Sequence, residues 1–356
     1  MSSKTMYYND YLQLDKVLTA QEPESFKSGN EPAHDEMLFI IVHQAYELWF
    51  KQILFELEYV TSVFKKDKID DNSEDLNLVR HRLNRIVKIL ELLNKQVDLI
   101  DTMTPLDFLE FRNLLNPSSG FQSLQFRLVE ATLGLSMDVR HQKEYYKRTN
   151  EGGFTKEHYE QLNIAESGES VLNLINNWLE RMPFFNKEFW ESYPADQNEL
   201  HPFWSDYRNL YKQSLTEREE NKINDFDRVF FEKSESFTPE EIEKNKTTLS
   251  PAALRSGLFI MLYRDFPVFQ TSYQILDTLV EIDHQMAGWR HKHLVMVRRM
   301  IGMRVGTGNT SGQGYLEGAL NRHYIYRDIA GLATFLIERK KLPKLPQELI
   351  KKLSYS

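Results

Sequence analysis

The sequence predicts an all-α fold, a large single-domain helical bundle, on three observations. Only 15 glycines and 12 prolines punctuate 356 residues. Few windows alternate apolar and polar side chains, whereas the long apolar patterns repeat at three and four residues. No fixed-period repeat, low-complexity tract or linker divides the chain, so residues 1–356 read as one domain.

The elements follow in order. Over 36–66, Leu38, Ile41, Val42, Ala45, Trp49, Ile53, Leu57, Val60 and Phe64 form one wide apolar face of a long helix, with Asp35 as its N-cap. Over 74–101, Leu76, Val79, Leu83, Ile86, Leu90, Leu93, Val97 and Ile100 alternate spacings of three and four. That heptad seam predicts nearly antiparallel packing on a neighbouring helix. Thr104, Pro105 and Asp107 make a capping-box start for a short helix that ends before Asn116-Pro117. Further helices are expected near 120–134, 168–181, 186–193 and 198–214. The charge-dense stretch 215–249 reads as a peripheral, partly helical insertion. Thr238-Pro239 and Ser250-Pro251 are helix starts, a second long helix covers 268–302, and a last one covers 315–340.

Composition narrows the chemistry. Zero cysteine excludes disulfides, zinc ribbons, iron–sulfur clusters, thiolate-ligated haem and cysteine nucleophiles, so any metal must be held by His, Asp, Glu or Tyr. Ten histidines are therefore the residues to question. With 44 basic and 52 acidic residues the net charge is −8, and no basic stripe suggests nucleic acid. The longest apolar run, Met37 to Val42, is far too short for a membrane span. The polar N-terminus, MSSKTMYYNDYLQLD, does not resemble a signal peptide, and a cytoplasmic protein is expected.

Four places can carry chemistry. His43 sits on the first long helix with Phe39 one turn before it and Glu47 one turn after. A core histidine and a ligand-pocket histidine both fit that setting. Phe108, Arg112 and Leu115 share a face of the short helix. Arg112 either snorkels over the rim or clamps an anion beside an aromatic wall. Trp289, His293, Met296, Val297 and Met300 form a stripe on the second long helix, while His291 points away from it. His293 is then a satisfied core residue or a single axial ligand to haem iron. Finally, five glycines fall between Gly302 and Gly314, a density that allows close ligand approach or a lid. This loop is neither a Walker loop nor a dinucleotide fingerprint. Two E-x-x-H strings, Glu31–His34 and Glu281–His284, leave a non-haem di-iron site as an alternative, weakened by Pro32 inside the first string.

Six ordered segments then resemble the tryptophan 2,3-dioxygenase family, haem enzymes that open the indole ring of L-tryptophan. They are YNDYLQLD, EPAHDEMLFIIVHQAYELWFKQILFELE, LDFLEFR, PSSGFQSLQFRLVE, the W-R-x-x-H-x-x-M-V-x-R string at Trp289–Arg299, and GTGNTSGQGYL. The resemblance covers almost the whole chain. It implies an all-helical bundle whose two long helices flank a haem pocket, with one haem b per subunit, active as Fe(II), and O2 as co-substrate. His293 matches the axial ligand of the haem iron, with Trp289 and Tyr315 on the haem side. His43 matches the catalytic distal histidine facing the indole N–H, and Phe39 lines the same pocket. Arg112 matches the substrate-carboxylate clamp beside Phe108, Thr307 contacts the amino-acid end, and Ser118-Ser119-Gly120 forms the pocket turn. Tyr8 and Tyr11 match tyrosines on an arm, residues 1–30, that reaches a neighbouring subunit of a homotetramer built as a dimer of dimers. The loop departs from the family's common GTGGSSG at Asn309-Thr310. The resemblance implies conversion of L-tryptophan to N-formyl-L-kynurenine, the first step of tryptophan catabolism by the kynurenine pathway. Hydroxylation of another aromatic amino acid, or haem sensing, are the alternatives on the same scaffold.

Overall fold

Four helices begin with proline as their first residue, at Pro105, Pro202, Pro251 and Pro267. Proline has no N–H to leave unsatisfied there, and its fixed φ suits the first turn. The computed structural model describes residues 6–69, 74–135, 153–193, 201–231, 247–302, 304, 316–318, 320 and 322–353. The α-helices are α1 (Tyr8–Leu12), α2 (Leu14–Leu18), α3 (Glu36–Phe64), α4 (Glu74–Ile100), α5 (Pro105–Phe111), α6 (Leu124–Leu133) and α7 (Lys156–Ser167). They continue as α8 (Val171–Glu180), α9 (Pro202–Ser214), α10 (Lys222–Phe230), α11 (Pro251–Leu262), α12 (Pro267–Ile301), α13 (Arg327–Gly331) and α14 (Gln347–Leu353). Short 3-10 turns link several of them. Among the described residues there is no strand, so the fold is all-α as predicted. None of the described helices is long and apolar enough to cross a membrane.

The heptad residues of α4 are all buried, and so are Val87 and Ile89 beside them. A seam for one partner would leave those two open. They are covered because α4 packs on both α3 and α12. Polar bonds along the two contacts give the register. Against α3, Gln96 Nε2 donates to Val42 O (3.2 Å), Tyr46 Oη to Leu93 O (3.0 Å), and Arg85 pairs with Glu56 (2.7 Å). Residue numbers fall on one helix as they rise on the other, so α3 and α4 are antiparallel. Against α12, Arg80 Nη1 donates to Gln274 (2.7 Å), Asn94 Nδ2 to Gln285 O (2.9 Å), and Lys292 Nζ to Asp98 (2.9 Å). These numbers rise together, so α4 and α12 are parallel. Val42 is thus level with Gln96, and Lys292 with Asp98. The register brings the neighbours of His43 and His293 to the same end of α4.

Several expectations are corrected. Asp35 occupies the N-cap position of α3, but its backbone is already helical and its side chain caps nothing. The next residue, Glu36, instead accepts the N–H groups of Glu24 and Ser25 (both 2.8 Å). The apolar face of α3 is narrower than predicted, because Ile41 is 48% exposed and Trp49 36%. The expected helix at 120–134 is split at Ser123, whose hydroxyl caps α6. At 186–193 only 3-10 turns form, at Pro183–Phe185 and Lys187–Phe189. There the Trp190 indole donates to Phe184 O (2.7 Å), tightening the chain beyond an α-helical rise. The expected helix at 315–340 is not continuous. Asp283 takes the N–H groups of Ile325 and Tyr326, a kink precedes α13, and 3-10 turns follow. In the 215–249 stretch α10 lies deeper than its charge suggests, since Phe226 and Phe230 are fully buried. The helix start at Thr238 lies outside the described residues. Helices α7 and α14 were not foreseen.

One half-buried histidine away from α3 and α12 gives the fold a testable pH dependence. His201 Nδ1 accepts the Phe203 N–H at the start of α9, and its ring stands edge-on to Trp190 at 4.6 Å. Burial, then nearby Arg255, pushes its pKa down to about 4. The folded chain keeps it neutral while the unfolded chain takes up a proton between its ordinary pKa of about 6.5 and 4, so stability falls as pH drops through that window. The ring is half-buried and partly screened by solvent, so urea unfolding at pH 7 and pH 5 should show this residue contributing a loss on the order of 1 kcal/mol. His201→Asn keeps a cap acceptor and should reduce the loss; an undiminished loss would reject the assignment.

Candidate active site

On α3, Phe39, His43 and Glu47 follow at one-turn spacing. The His43 and Phe39 rings lie 4.1 Å apart, and His43 Nδ1 is 2.7 Å from Phe39 O. A carbonyl oxygen can only accept, so Nδ1 carries the proton and a neutral ring keeps its lone pair on Nε2. Desolvation pushes the His43 pKa down, opposed by the Phe39 carbonyl and by Glu47. Its ring nevertheless keeps exposed surface. The side chain is thus flanked by the Phe39 ring and open on another side.

An aromatic wall stands beside it. Phe39, Phe108 and Phe111 have ring centroids 5.4–5.9 Å apart. The last two project from α5, whose start is fixed by reciprocal bonds between Thr104 and Asp107. Phe111 is buried with Ala33, Met103 and Met300, which ties α5 to α3 and to the end of α12. Arg112 is half-buried at the C-cap of α5, one turn after Phe108. The turn after it is anchored from α3. Glu47 accepts Ser123 Oγ (2.5 Å) and Gln125 Nε2 (3.0 Å), while Ser119 N–H is held by Gln122 Oε1 (3.0 Å).

On α12, the Trp289 and His293 rings are parallel within 2° at 5.2 Å. Trp289 also meets Phe126 of α6 at 5.0 Å and Tyr46 of α3 at 6.0 Å. Burial, and after it the nearby His43, push the His293 pKa down to about 4, so His293 is neutral at pH 7. Its Nδ1 is buried with no hydrogen bond among the described residues. Among those residues no three His, Cys, Asp or Glu side chains converge as metal ligands. The E-x-x-H strings therefore assemble no di-iron set there. A single neutral imidazole in an apolar slot suits an iron that arrives with its own equatorial nitrogens, as in haem.

Comparison with known proteins gives the family. The family model described as tryptophan 2,3-dioxygenase matches residues 1–336. A tryptophan 2,3-dioxygenase of Bdellovibrio bacteriovorus is 41% identical, over 100% of this chain and 99% of that protein. Tryptophan 2,3-dioxygenase B of Danio rerio is 42% identical over 95% of this chain and 84% of its own length. The Mus musculus enzyme of that name is 38% identical over 96% and 84%. The chain belongs to the tryptophan 2,3-dioxygenase family.

Of the residues that the resemblance to tryptophan 2,3-dioxygenases picked out, Phe39, His43 and Phe108 share one aromatic cluster, and Arg112 follows Phe108 by one turn. Trp289 and His293 stack within reach of Tyr46 and His43. Ser119 and Gly120 lie in the turn held through Gln122. Tyr8 and Tyr11 are not brought to this cluster; they are 70% and 68% exposed on α1. Thr307, Asn309, Thr310 and Tyr315 lie outside the described residues. Sequence reasoning missed Phe111, Tyr46 and Phe126 as walls. Their signal was present, since each is one turn from a chosen residue or a strong helix position.

Ser123 is tied to Glu47 of α3 and caps α6 at once. Ser123→Ala should lower stability by about 1–2 kcal/mol, the usual loss of a cap plus a bond to a carboxylate. Denaturant midpoints read this, and a change of a few tenths would mean that the anchor is elsewhere.

Proposed function

We propose that the chain is a haem-dependent dioxygenase. It adds both atoms of O2 across the indole C2=C3 bond of L-tryptophan to give N-formyl-L-kynurenine, opening tryptophan breakdown by the kynurenine pathway. The atoms balance as substrate plus O2, with no net reductant consumed. The observation that carries this is the approach of two neutral imidazoles, His43 of α3 beside the Phe39 ring and His293 of α12 stacked on Trp289, in a chain of this family.

His293 would hold haem b, one per subunit, through its neutral ring. Haem, as Fe(II), supplies the O2-activating chemistry when bound. Phe39 and Phe108 offer flat apolar surface to the indole. Arg112 holds the α-carboxylate in a two-point fork, and Thr307 contacts the amino-acid end. His43, with Nδ1–H committed to Phe39 O, presents Nε2 to accept the indole N–H. It orients the ring and need not remove its proton, because indole N–H is a very weak acid. Fixing the substrate at both ends supplies orientation, and the apolar wall keeps water off the indole.

The same proposal includes a cytoplasmic homotetramer, a dimer of dimers. Ile41, Leu48 and Phe55 on α3 are exposed at seven-residue steps, with exposed Leu92 and Leu99 on the antiparallel α4. This outward apolar stripe, and the exposed Tyr8, Tyr11, Leu12 and Leu18 of the arm formed by residues 1–30, are surfaces that another copy would cover. Residues 215–249 remain an insertion of this single domain.

Incubation with tryptophan, reductant and isotopically heavy O2 should give N-formylkynurenine carrying both labels; one label would mean hydroxylation. His293→Ala should lose the Soret band, and full haem occupancy would sink the ligand assignment. Arg112→Ala should raise KM for tryptophan roughly ten- to a hundredfold, as expected for a charged hydrogen bond worth about 1.5–3 kcal/mol, with haem content unchanged. An unchanged KM would reject the clamp.

A further inference from the structure

Behind the Trp289–His293 stack lies a buried ionic cluster with no part in the chemistry above. Glu130 of α6 is fully buried. Its Oε2 accepts Arg127 Nη1 (3.0 Å) and its Oε1 accepts Arg290 Nη2 (2.9 Å). Arg290 Nη1 donates to His323 O (2.9 Å), and the His323 ring lies 3.7 Å from Glu130. Both arginines are nearly inaccessible. Burying such a group is expensive, and well-packed apolar residues often replace one without loss of stability. Its position is therefore informative.

The cluster reaches the ring stack through Arg127, and Arg290 adjoins it in the chain. Arg290 directly follows Trp289 on α12. Arg127 sits with its guanidinium 5.6 Å from the Phe126 ring centroid, and Phe126 contacts Trp289 at 5.0 Å. A continuous path runs Glu130, Arg127, Phe126, Trp289, His293. Glu130 bridges α6 and α12 with one carboxylate, fixing the roll of α12 against the ring on which Trp289 rests. His293 has no hydrogen bond on Nδ1 among the described residues. Histidine ligands are usually oriented through that second nitrogen, and here packing against Trp289 is what remains to orient the ring.

We propose that Glu130 is a positioning residue for His293: by holding Arg127 and Arg290 it fixes the Phe126–Trp289–His293 stack and so the orientation of the imidazole. This rests on His293 as the haem ligand. The test uses the full chain, titrated with haem. Glu130→Gln should weaken haem binding roughly tenfold, the usual scale for losing an outer partner of a metal ligand. It should also shift the iron–histidine stretching band of the ferrous protein, and lower kcat with little change in KM for tryptophan. Phe126→Leu keeps the ionic cluster but breaks the ring path, and should move affinity and band in the same direction. It decides the matter if Glu130→Gln does not fold. Glu56→Gln is the structural control. Glu56 is buried and paired with Arg82 and Arg85 on a distant part of α3, so this variant should lower the melting temperature without moving the band. If Glu130→Gln and Phe126→Leu behave like Glu56→Gln, with wild-type haem affinity and band, the positioning role is overturned. Wild-type protein that takes up no haem would instead overturn the haem assignment, and this proposal with it.

Discussion

The burial of α4 on two sides is the constraint from which the site follows. Its apolar positions are shared between α3 and α12, one antiparallel and the other parallel. Sliding either neighbour by a turn would strip the polar bonds that pin them, Gln96 to Val42 O on one side and Lys292 to Asp98 on the other. With those bonds made, His43 and His293, 250 positions apart in sequence, meet at one level. No local signal near either histidine encodes that meeting. It is a consequence of helix register, and helix register is set by the core.

The same packing sets the chemistry of the two rings. Desolvation disfavours the imidazolium at both, and His43 disfavours it further at His293. The two neutral imidazoles differ in how their nitrogens are committed. His43 has given Nδ1–H to the Phe39 carbonyl one turn back, an ordinary helix-internal bond that decides the tautomer. His293 has no such partner on Nδ1 among the described residues and is held by the flat face of Trp289. Under the proposed function, an acceptor for an N–H and a ligand for a metal would thus arise from the same residue type.

Much of this was legible in the sequence, for reasons that differ by element. The long helices were readable because α4 keeps its three–four spacing without a miss and α12 opens with proline. The start of α5 was readable because the Thr104–Asp107 pair is local in sequence. The C-terminal third was not. At 315–340 the chain turns where the Asp283 carboxylate, far away in sequence, takes two backbone N–H groups. At Trp190 a side chain outbids the helical bond pattern. In α10 the charge count hid Phe226 and Phe230, whose burial depends on Trp204, Tyr211 and Phe335 arriving from elsewhere. For the site, Phe39, His43, Phe108, Arg112 and His293 stood out as residue types on apolar helix faces. The recess itself came only from packing.

Helix α3 is loaded from three sides, and this links the site to the surface. Its inner side carries the buried core from Val42 to Phe64. Its recess side carries Phe39 and His43, and Glu47 there grips the turn that follows Arg112. Its first turn ties down the chain that precedes it: the Glu36 carboxylate holds the Glu24 and Ser25 N–H groups, Ser25 Oγ accepts Ala33 N–H, and Gln44 Nε2 donates to Ala20 O. The arm with Tyr8 and Tyr11 therefore departs from a fixed point on the helix that carries His43.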